Sequence, residues 1–370
     1  MVQKPGIFIV SEAPGSSAFE AQRVAAALIA GGYRVRTLVR SSSARAHDLT
    51  FAARAAFSLW QYQDEYDLVC FFGGGTHLGP ALAIAWVLRK SMAAKLFADG
   101  IFSAMSRTAV GQFELGWFRD WEVSLILPDQ RMDLQAEAAG FPRSQLTTIP
   151  ALVDTDVFHP PSPGEIAAAR SRHGIPADAR VILYTGRLAR ERGLPDLIHG
   201  AALAFQSHPA TLLLLAGDGP ARRELEILAK QFDLSGESCR FLGTQPHAAI
   251  PSIMAAADIS VRTSAAPGSA LSLLEAMATG LPSVVSISDG HLQFIQNQVH
   301  GLTVPVAAPQ ALGAALSTLL GDPGLRHRLG AAARQRVLEK WSVPAVLPRY
   351  ETLFARARPA RAPLPGSIPS

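Results

Sequence analysis

Short apolar runs alternate with longer amphipathic stretches along most of the chain. Residues 6–10 form an apolar run of strand length, followed by a loop with Pro14, Gly15, Ser16 and Ser17. The next stretch carries Val24, Ala25, Leu28 and Ile29 on one helical face and stops at Gly31-Gly32. Residues 34–39, 68–72, 95–98 and 123–127 read as further strands. Strands that alternate with helices predict a parallel sheet with helices on both faces.

The pattern breaks at residues 149–164, where Pro150, Pro160, Pro161 and Pro163 give linker composition. A second series follows, with strands predicted at 181–184, 211–216, 240–242, 259–261 and 283–285. The helix after Gly193 has Pro195 in its first turn, where a missing N–H is harmless. Its predicted buried face is Leu197, Ile198, Ala201 and Phe205. The expected fold class is therefore α/β, with two Rossmann-like doubly wound domains over residues 1–155 and 156–340. Ligands of such sheets bind beyond the C-terminal strand ends, so two facing domains predict a cleft. The Arg-, Ala- and Pro-rich residues 356–370 predict a disordered tail.

Composition narrows the function. The chain has 370 residues, 48% hydrophobic and 17% charged, enough for two ordinary cores. Two cysteines, Cys70 and Cys239, imply no disulfide framework and fit a reducing, cytoplasmic setting. The first residues do not read as a secretory signal, and no apolar run approaches the roughly 20 residues that a spanning helix needs. The net charge of +4 is mild, and no Lys/Arg block with interleaved aromatics occurs, so nucleic-acid binding is not expected. The charge suits an anionic small molecule or loose contact with an acidic membrane surface, here the inner face. Residues 80–95, apolar and then basic at Arg89, Lys90 and Lys95, read as a buried helix with a solvated end or as a membrane contact.

Three segments carry candidate chemistry. Thr185-Gly186-Arg187-Leu188 leads through Arg192 and Gly193 into a helix, and its two guanidinium groups suit a diphosphate or form a solvated basic loop. A small-residue loop through Pro267, Gly268, Ser269 and Ala270 opens a second helix. Free N–H groups near Leu271 and Ser272 make an anion site there. Glu275 lies about one turn further in, either as a ribose ligand or as a solvent-facing helix residue. Ala216-Gly217-Asp218-Gly219-Pro220 is a third strand–loop–helix junction, either part of the site or a tight turn.

In their order and spacing these segments resemble family 4 of the retaining glycosyltransferases, which have the GT-B fold. The resemblance runs from about Pro14 to Tyr350. Its further motifs are Phe241-Leu242-Gly243, Ala257-Asp258, Ser264, Leu274-Glu275-Ala276-Met277-Ala278 with Gly280 and Pro282, and an interdomain signature from Ile149-Pro150 to Pro160. The resemblance implies glycosyl transfer from a nucleotide-sugar donor to an acceptor, with retention at the anomeric carbon. It implies diphosphate binding by Arg187 and Arg192, ribose binding by Glu275, and phosphate contacts from Gly15 and Ser16. Leu242 and Gly243 would border the base, and Pro267 to Ala270 would line the sugar pocket. No metal and no resident cofactor are implied, because cations and helix N–H groups neutralise the leaving diphosphate. Residues 341–355, with Trp341 and Tyr350, would form a helix crossing back to the first domain.

The chain departs from that family at defined places. Pro267 replaces the first of two motif glutamates, the one that grips sugar hydroxyls. Asp99-Gly100 stands where the family commonly has His followed by Gly. Ala151-Leu152 replaces an Asn-Gly, and Gln293 replaces an acid. Asp99 and His77 are the candidate catalytic or acceptor contacts of the first domain, with a loop-capping Asp and a hydrogen-bonded loop His as the other readings. Three functions stay open: an active transferase with an altered sugar pocket, a non-catalytic nucleotide-sugar-binding relative or partner subunit, and, less favoured, another GT-B chemistry such as epimerisation.

Overall fold

The computed structural model describes residues 4–11, 16–40, 48–73, 78–97, 100–234, 236–264 and 271–356. The chain divides into two compact units, one of Met1–Leu152 with Val343–Ser370, the other of Val153–Ser342.

The first unit alternates strands and helices: β1 (Gly6–Ser11), α1 (Ser16–Ala30), β2 (Arg34–Val39), α2 (Asp48–Gln61), β3 (Leu68–Phe72), α3 (Gly79–Val87) and β4 (Ser91–Lys95). It continues with α4 (Ile101–Ser106), α5 (Ala109–Asp120), β5 (Ser124–Leu127), α6 (Gln130–Ala138) and β6 (Leu146–Thr148). The six strands pair in parallel in the order β2-β1-β3-β4-β5-β6. Successive side chains of a strand point to opposite faces, and here both faces are covered. Phe8, Val10, Val69 and Phe71 pack in one cluster with side chains of α2 to α6, while Ile7, Ile9, Leu68, Cys70 and Phe72 pack with α1. That is why β1 and β3 read as unbroken apolar runs.

The segment read as one helix over 80–95 is α3 followed by β4. The strand expected at 95–98 is β4 itself, and it ends at Lys95. Lys95 is fully buried, not a solvated helix end. Its Nζ pairs with Glu20 of α1 at 2.7 Å and donates to the carbonyl oxygens of Ile149 and Pro150 at 3.2 and 3.1 Å. Lys90 is likewise engaged, donating to the carbonyls of Gln63 and Tyr66. These two cations are therefore not a free basic face.

The second unit opens with α7 (Pro163–Arg172), capped by Ser162 and Glu165 in a reciprocal box. Then come β7 (Arg180–Thr185), α8 (Leu194–Phe205), β8 (Thr211–Ala216), α9 (Arg222–Gln231), β9 (Cys239–Gly243), α10 (Ile250–Ala255) and β10 (Ile259–Arg262). The unit ends with α11 (Leu271–Ala278), β11 (Ser283–Ser286), α12 (Asp289–Leu292), β12 (Leu302–Val304), α13 (Pro309–Gly321) and α14 (Pro323–Lys340). Its sheet is also six-stranded and parallel, in the order β12-β11-β10-β7-β8-β9. The final helix, α15 (Val343–Arg356), belongs to the first unit, where Val346, Tyr350, Leu353 and Phe354 join the α1 face of the sheet. Tyr350 Oη accepts from Lys95 Nζ at 2.8 Å. Both cysteines are buried thiols.

Candidate functional site

In the second unit β7 and β10 are neighbours. From β7 the chain proceeds to β8 and β9 on one side, and from β10 to β11 and β12 on the other. The C-terminal ends of β7 and β10 therefore flank the point where the winding reverses, the place at which open α/β sheets bind ligands. β7 ends at Thr185 and is followed by Gly186 and Arg187. β10 ends at Arg262 and is followed by Thr263 and Ser264.

The loops at these strand ends are stitched together through their backbones. Gly186 N–H donates to the Ala216 carbonyl at 2.9 Å, Leu188 N–H to that of Asp218 at 2.9 Å, and Ala221 N–H to that of Leu188 at 3.0 Å. Gly217 bridges to Gly243, and Gln245 Nε2 donates to the Leu242 carbonyl at 2.6 Å. The Gly186, Gly217 and Leu242–Gly243 segments, distant in sequence, thus form one rim.

Arg187 is exposed, and its carbonyl accepts from Tyr184 Oη at 3.0 Å. Arg192 is half-buried in a single 3-10 turn, Arg190–Arg192, whose carbonyl accepts from Thr263 Oγ1 at 2.8 Å. The following Gly193 has φ +64°, and a Cβ there would lie 2.2 Å from the Thr263 carbonyl oxygen. Only glycine permits that approach. The Arg192 turn is thereby fixed to the end of β10.

Leu271 and Ser272 begin α11, whose first-turn N–H groups lack intrahelical partners. Glu275 is 3% exposed, so it is not a solvent-facing helix residue. His247 Nε2 lies 2.9 Å from Glu275 Oε1, and the His247 ring packs on Phe158, centroids 5.7 Å apart. Sequence reasoning singled out neither His247 nor Arg262. Arg262 is buried, and its Nη1 donates to the Thr185 carbonyl at 3.0 Å and to Ser272 Oγ. An arginine closing an otherwise apolar strand was the available signal. His291 is also buried, with Nδ1 2.9 Å from the Ser286 carbonyl. Burial holds its imidazole down to about 4, and the cations of Arg262 and Arg192 add to that effect.

Asp258 has a different task. Its Oδ2 accepts from Val181 N–H at 2.8 Å and from Arg170 Nη2 at 2.9 Å, at the strand edge opposite the rim. This part of the motif holds α7 to the sheet.

In the first unit the winding reverses between β1 and β3, whose C-terminal ends are Ser11 and Phe72. Gly15, His77 and Asp99 lie outside the described residues, as do Pro267, Gly268, Ser269 and Ala270 of the second unit. Ser16 begins α1, with its side chain outside the description. Among the described residues no group of three or more His, Cys, Asp and Glu side chains is gathered as a metal site. Among them, too, no helix is long and apolar enough to cross a membrane.

Residues 165–336 match the family model of group 1 glycosyl transferases. This segment is a group 1 glycosyltransferase domain. The chain is 26% identical over 223 residues to the putative glycosyltransferase EpsD of Bacillus subtilis (strain 168), covering 60% of this chain and 58% of that protein. It is 28% identical to the alpha-D-kanosaminyltransferase of Streptomyces kanamyceticus, over 60% of this chain and 57% of that one. These matches thus span under two thirds of the relatives' own length. The lipopolysaccharide core biosynthesis glycosyltransferase LpsD of Rhizobium meliloti (strain 1021) is 28% identical over 75% of this chain and 76% of its own.

Solved structures extend the likeness beyond the glycosyltransferase domain. Anabaena Alr3699/HepE, crystallised with UDP and glucose, superposes with a TM-score of 0.75 at 20% identity, over 95% of this chain and 100% of that one. WaaG, a glycosyltransferase involved in lipopolysaccharide biosynthesis, gives 0.71 at 16% identity over 95% and 100%. The chain has their two-domain GT-B fold.

Proposed function

We propose that this protein is a retaining family 4 glycosyltransferase that moves a sugar from a UDP-sugar to an acceptor hydroxyl. The observation that supports the reading is the switch point of the second unit, where the exposed Arg187 follows β7 and the Arg192 turn is bonded to the end of β10, together with the buried carboxylate of Glu275 in α11. Arg187 and Arg192 hold the donor diphosphate, with the N–H groups of Leu271 and Ser272 behind it. Glu275, steadied by His247, accepts the ribose hydroxyls. Leu242 and Gly243 border the base, and uracil is chosen because Alr3699/HepE was crystallised with UDP. Pro267, Gly268, Ser269 and Ala270 line the sugar. Gly15 and Ser16 are the phosphate contacts that the family resemblance implies. Asp99 and His77 contact the sugar or the acceptor.

In the reaction the bond from the anomeric carbon to the diphosphate oxygen breaks, and its electron pair leaves with the diphosphate. The acceptor oxygen bonds to the same face and passes its proton to the departing diphosphate oxygen. Arginine side chains and helix N–H groups stabilise the departing charge, which removes the need for a metal. The enzyme works in the cytoplasm, peripheral to the inner membrane face. With Lys90 and Lys95 engaged internally, Arg89 is the basic residue of that stretch left for lipid contact.

A second reading, a non-catalytic nucleotide-sugar binder or partner subunit, is favoured by Pro267, which offers the sugar no carboxylate. A panel of UDP-, GDP- and ADP-sugars separates the two, read by thermal stabilisation and nucleoside diphosphate release. Stabilisation with hydrolysis of one donor supports the transferase. Stabilisation by the diphosphate without turnover, with or without acceptors, supports the binder. No stabilisation refutes both.

A further inference from the structure

The imidazole of His291 follows the C-terminal end of β11 and is held there from one side only. Its Nδ1 lies 2.9 Å from the Ser286 carbonyl oxygen and 3.1 Å from Ser288 Oγ. A carbonyl oxygen only accepts, so Nδ1 carries the proton, and in the neutral ring Nε2 keeps an acceptor lone pair. Burial, with the cations of Arg262 and Arg192 nearby, holds the ring in that neutral form. Among the described residues no donor reaches Nε2. Yet Nε2 is not sealed from solvent in the way that the partnerless hydroxyl of Ser283, at the other end of β11, is sealed. A tethered, uncharged acceptor thus opens at the strand end.

Its surroundings limit what it can accept from. Ser286, whose carbonyl tethers the ring, also donates from Oγ to the Ser264 carbonyl at 2.9 Å, at the root of the loop 265–270 to which the nucleotide-sugar reading assigns the sugar. Phosphate oxygens of a neutral-pH diphosphate accept and do not donate, so a lone pair at Nε2 gives them nothing. In the same reading the base has Leu242 and Gly243, and the ribose hydroxyls have Glu275. The hydroxyls of the sugar remain, and Pro267 offers them no acceptor. We propose that His291 is a sugar-binding residue of this site, its Nε2 accepting a hydrogen bond from a hydroxyl of the sugar to be transferred. The inference rests on the nucleotide-sugar reading above, and it places a neutral acceptor at the end of β11 where the loop after β10 lacks a carboxylate.

The test uses the full chain and calorimetric titration. The wild type is titrated with UDP-glucose, UDP-galactose, UDP-N-acetylglucosamine, GDP-mannose and ADP-glucose, and the tightest of them is paired with its own nucleoside diphosphate. The ratio of diphosphate Kd to nucleotide-sugar Kd reports what the sugar contributes. His291→Leu is expected to lower this ratio about fivefold, the worth of one neutral hydrogen bond, through the nucleotide-sugar Kd alone. His291→Asn keeps an amide near the position of Nδ1 and nothing at that of Nε2, and is expected to match it. His291→Gln carries an amide oxygen to the position of Nε2 and is expected to keep most of the wild-type ratio. An unchanged ratio in His291→Leu overturns the proposal, as does an equal loss for both ligands, which marks a merely structural tether. If His291→Leu does not fold, a ratio in His291→Asn no lower than in His291→Gln overturns it equally. A wild type for which no sugar adds affinity overturns it while the diphosphate site stands. A wild type that binds neither the nucleotide-sugars nor their diphosphates overturns the nucleotide-sugar reading itself, and this inference with it.

Discussion

A Cβ on Gly217 would lie 1.8 Å from the carbonyl oxygen of Gly186. The two residues have φ of +152° and +147°, in the region that disfavours L side chains. The ends of β7 and β8 thus pack backbone to backbone, and that packing holds the Arg187 loop in place. Gly217→Ala is expected to destabilise the second unit by about 3 kcal/mol through overlap and strain. It should also weaken nucleoside diphosphate binding under conditions where the variant is folded. Urea unfolding followed by circular dichroism, with calorimetry on the folded fraction, checks both. A variant with unaltered stability and binding would mean that the rim is plastic.

Arg187 makes a cleaner test of the diphosphate assignment because its side chain is exposed. Arg187→Ala should leave unfolding stability within about 0.5 kcal/mol. Loss of a charge-assisted contact to phosphate is worth about 1.5–3 kcal/mol, roughly 10- to 150-fold in donor Kd. Unchanged donor affinity would remove Arg187 from the site. Arg192→Lys should be milder, because the charge stays and only the planar fork is lost.

The sequence pattern discloses the two-unit α/β architecture because parallel strands covered on both faces are short apolar runs, and both series contain them. It is less informative at β4. Residues 80–95 are apolar over α3 and β4 alike, and periodicity alone does not separate a buried helix from a buried strand. The short edge strands β6 and β12 escape notice for a related reason: with three residues each they carry little pattern. Of the proposed site, Arg187, Arg192 and Glu275 stand out in the sequence because strand–loop–helix junctions mark them. His247 and Arg262 are not, because their importance lies in partners far along the chain: Glu275 for the first, Thr185 and Ser272 for the second. The reverse error occurs at Lys95, where a lysine after an apolar stretch reads as solvated but is enclosed by Glu20, Tyr350 and two carbonyls.

That enclosure carries its own prediction. Lys95→Met leaves Glu20 buried beside an apolar side chain, and breaking a buried pair from one side costs about 3–5 kcal/mol. Adding Glu20→Leu removes the stranded carboxylate and should restore most of the loss, so the two changes are strongly non-additive. Tyr350→Phe, which deletes one acceptor of the lysine, should cost about 1 kcal/mol. Chemical denaturation of Lys95→Met, Glu20→Leu, the variant with both changes and Tyr350→Phe reads the coupling directly. Additive effects would show that Lys95 and Glu20 do not depend on one another.

Two buried groups give the units opposite dependences on pH. Glu114, on α5, is buried and its Oε1 has no hydrogen-bond partner, so burial pushes its carboxyl up to about 7. An unfolded Glu titrates near 4.3. Below that pH both states hold the proton, and the side chain is tolerated as a neutral acid. Between about 4.3 and 7 the unfolded chain releases the proton while the folded chain retains it, so stability falls as pH rises. Above 7 the full penalty applies, about 3–4 kcal/mol at 1.36 kcal/mol per unit. His291 runs the other way. Its folded value of about 4 lies below the ordinary 6.5, so its contribution is intact above 6.5 and is lost as pH falls toward 4. Glu114→Gln should therefore stabilise the first unit by about 3 kcal/mol at pH 8 and by little at pH 4.5. His291→Gln should flatten the acid side of the second unit's profile. Urea midpoints across pH 4.5–8 for the wild type and both variants measure this. A Glu114→Gln advantage that does not grow with pH would show that the carboxyl ionises normally, and hence that water reaches it.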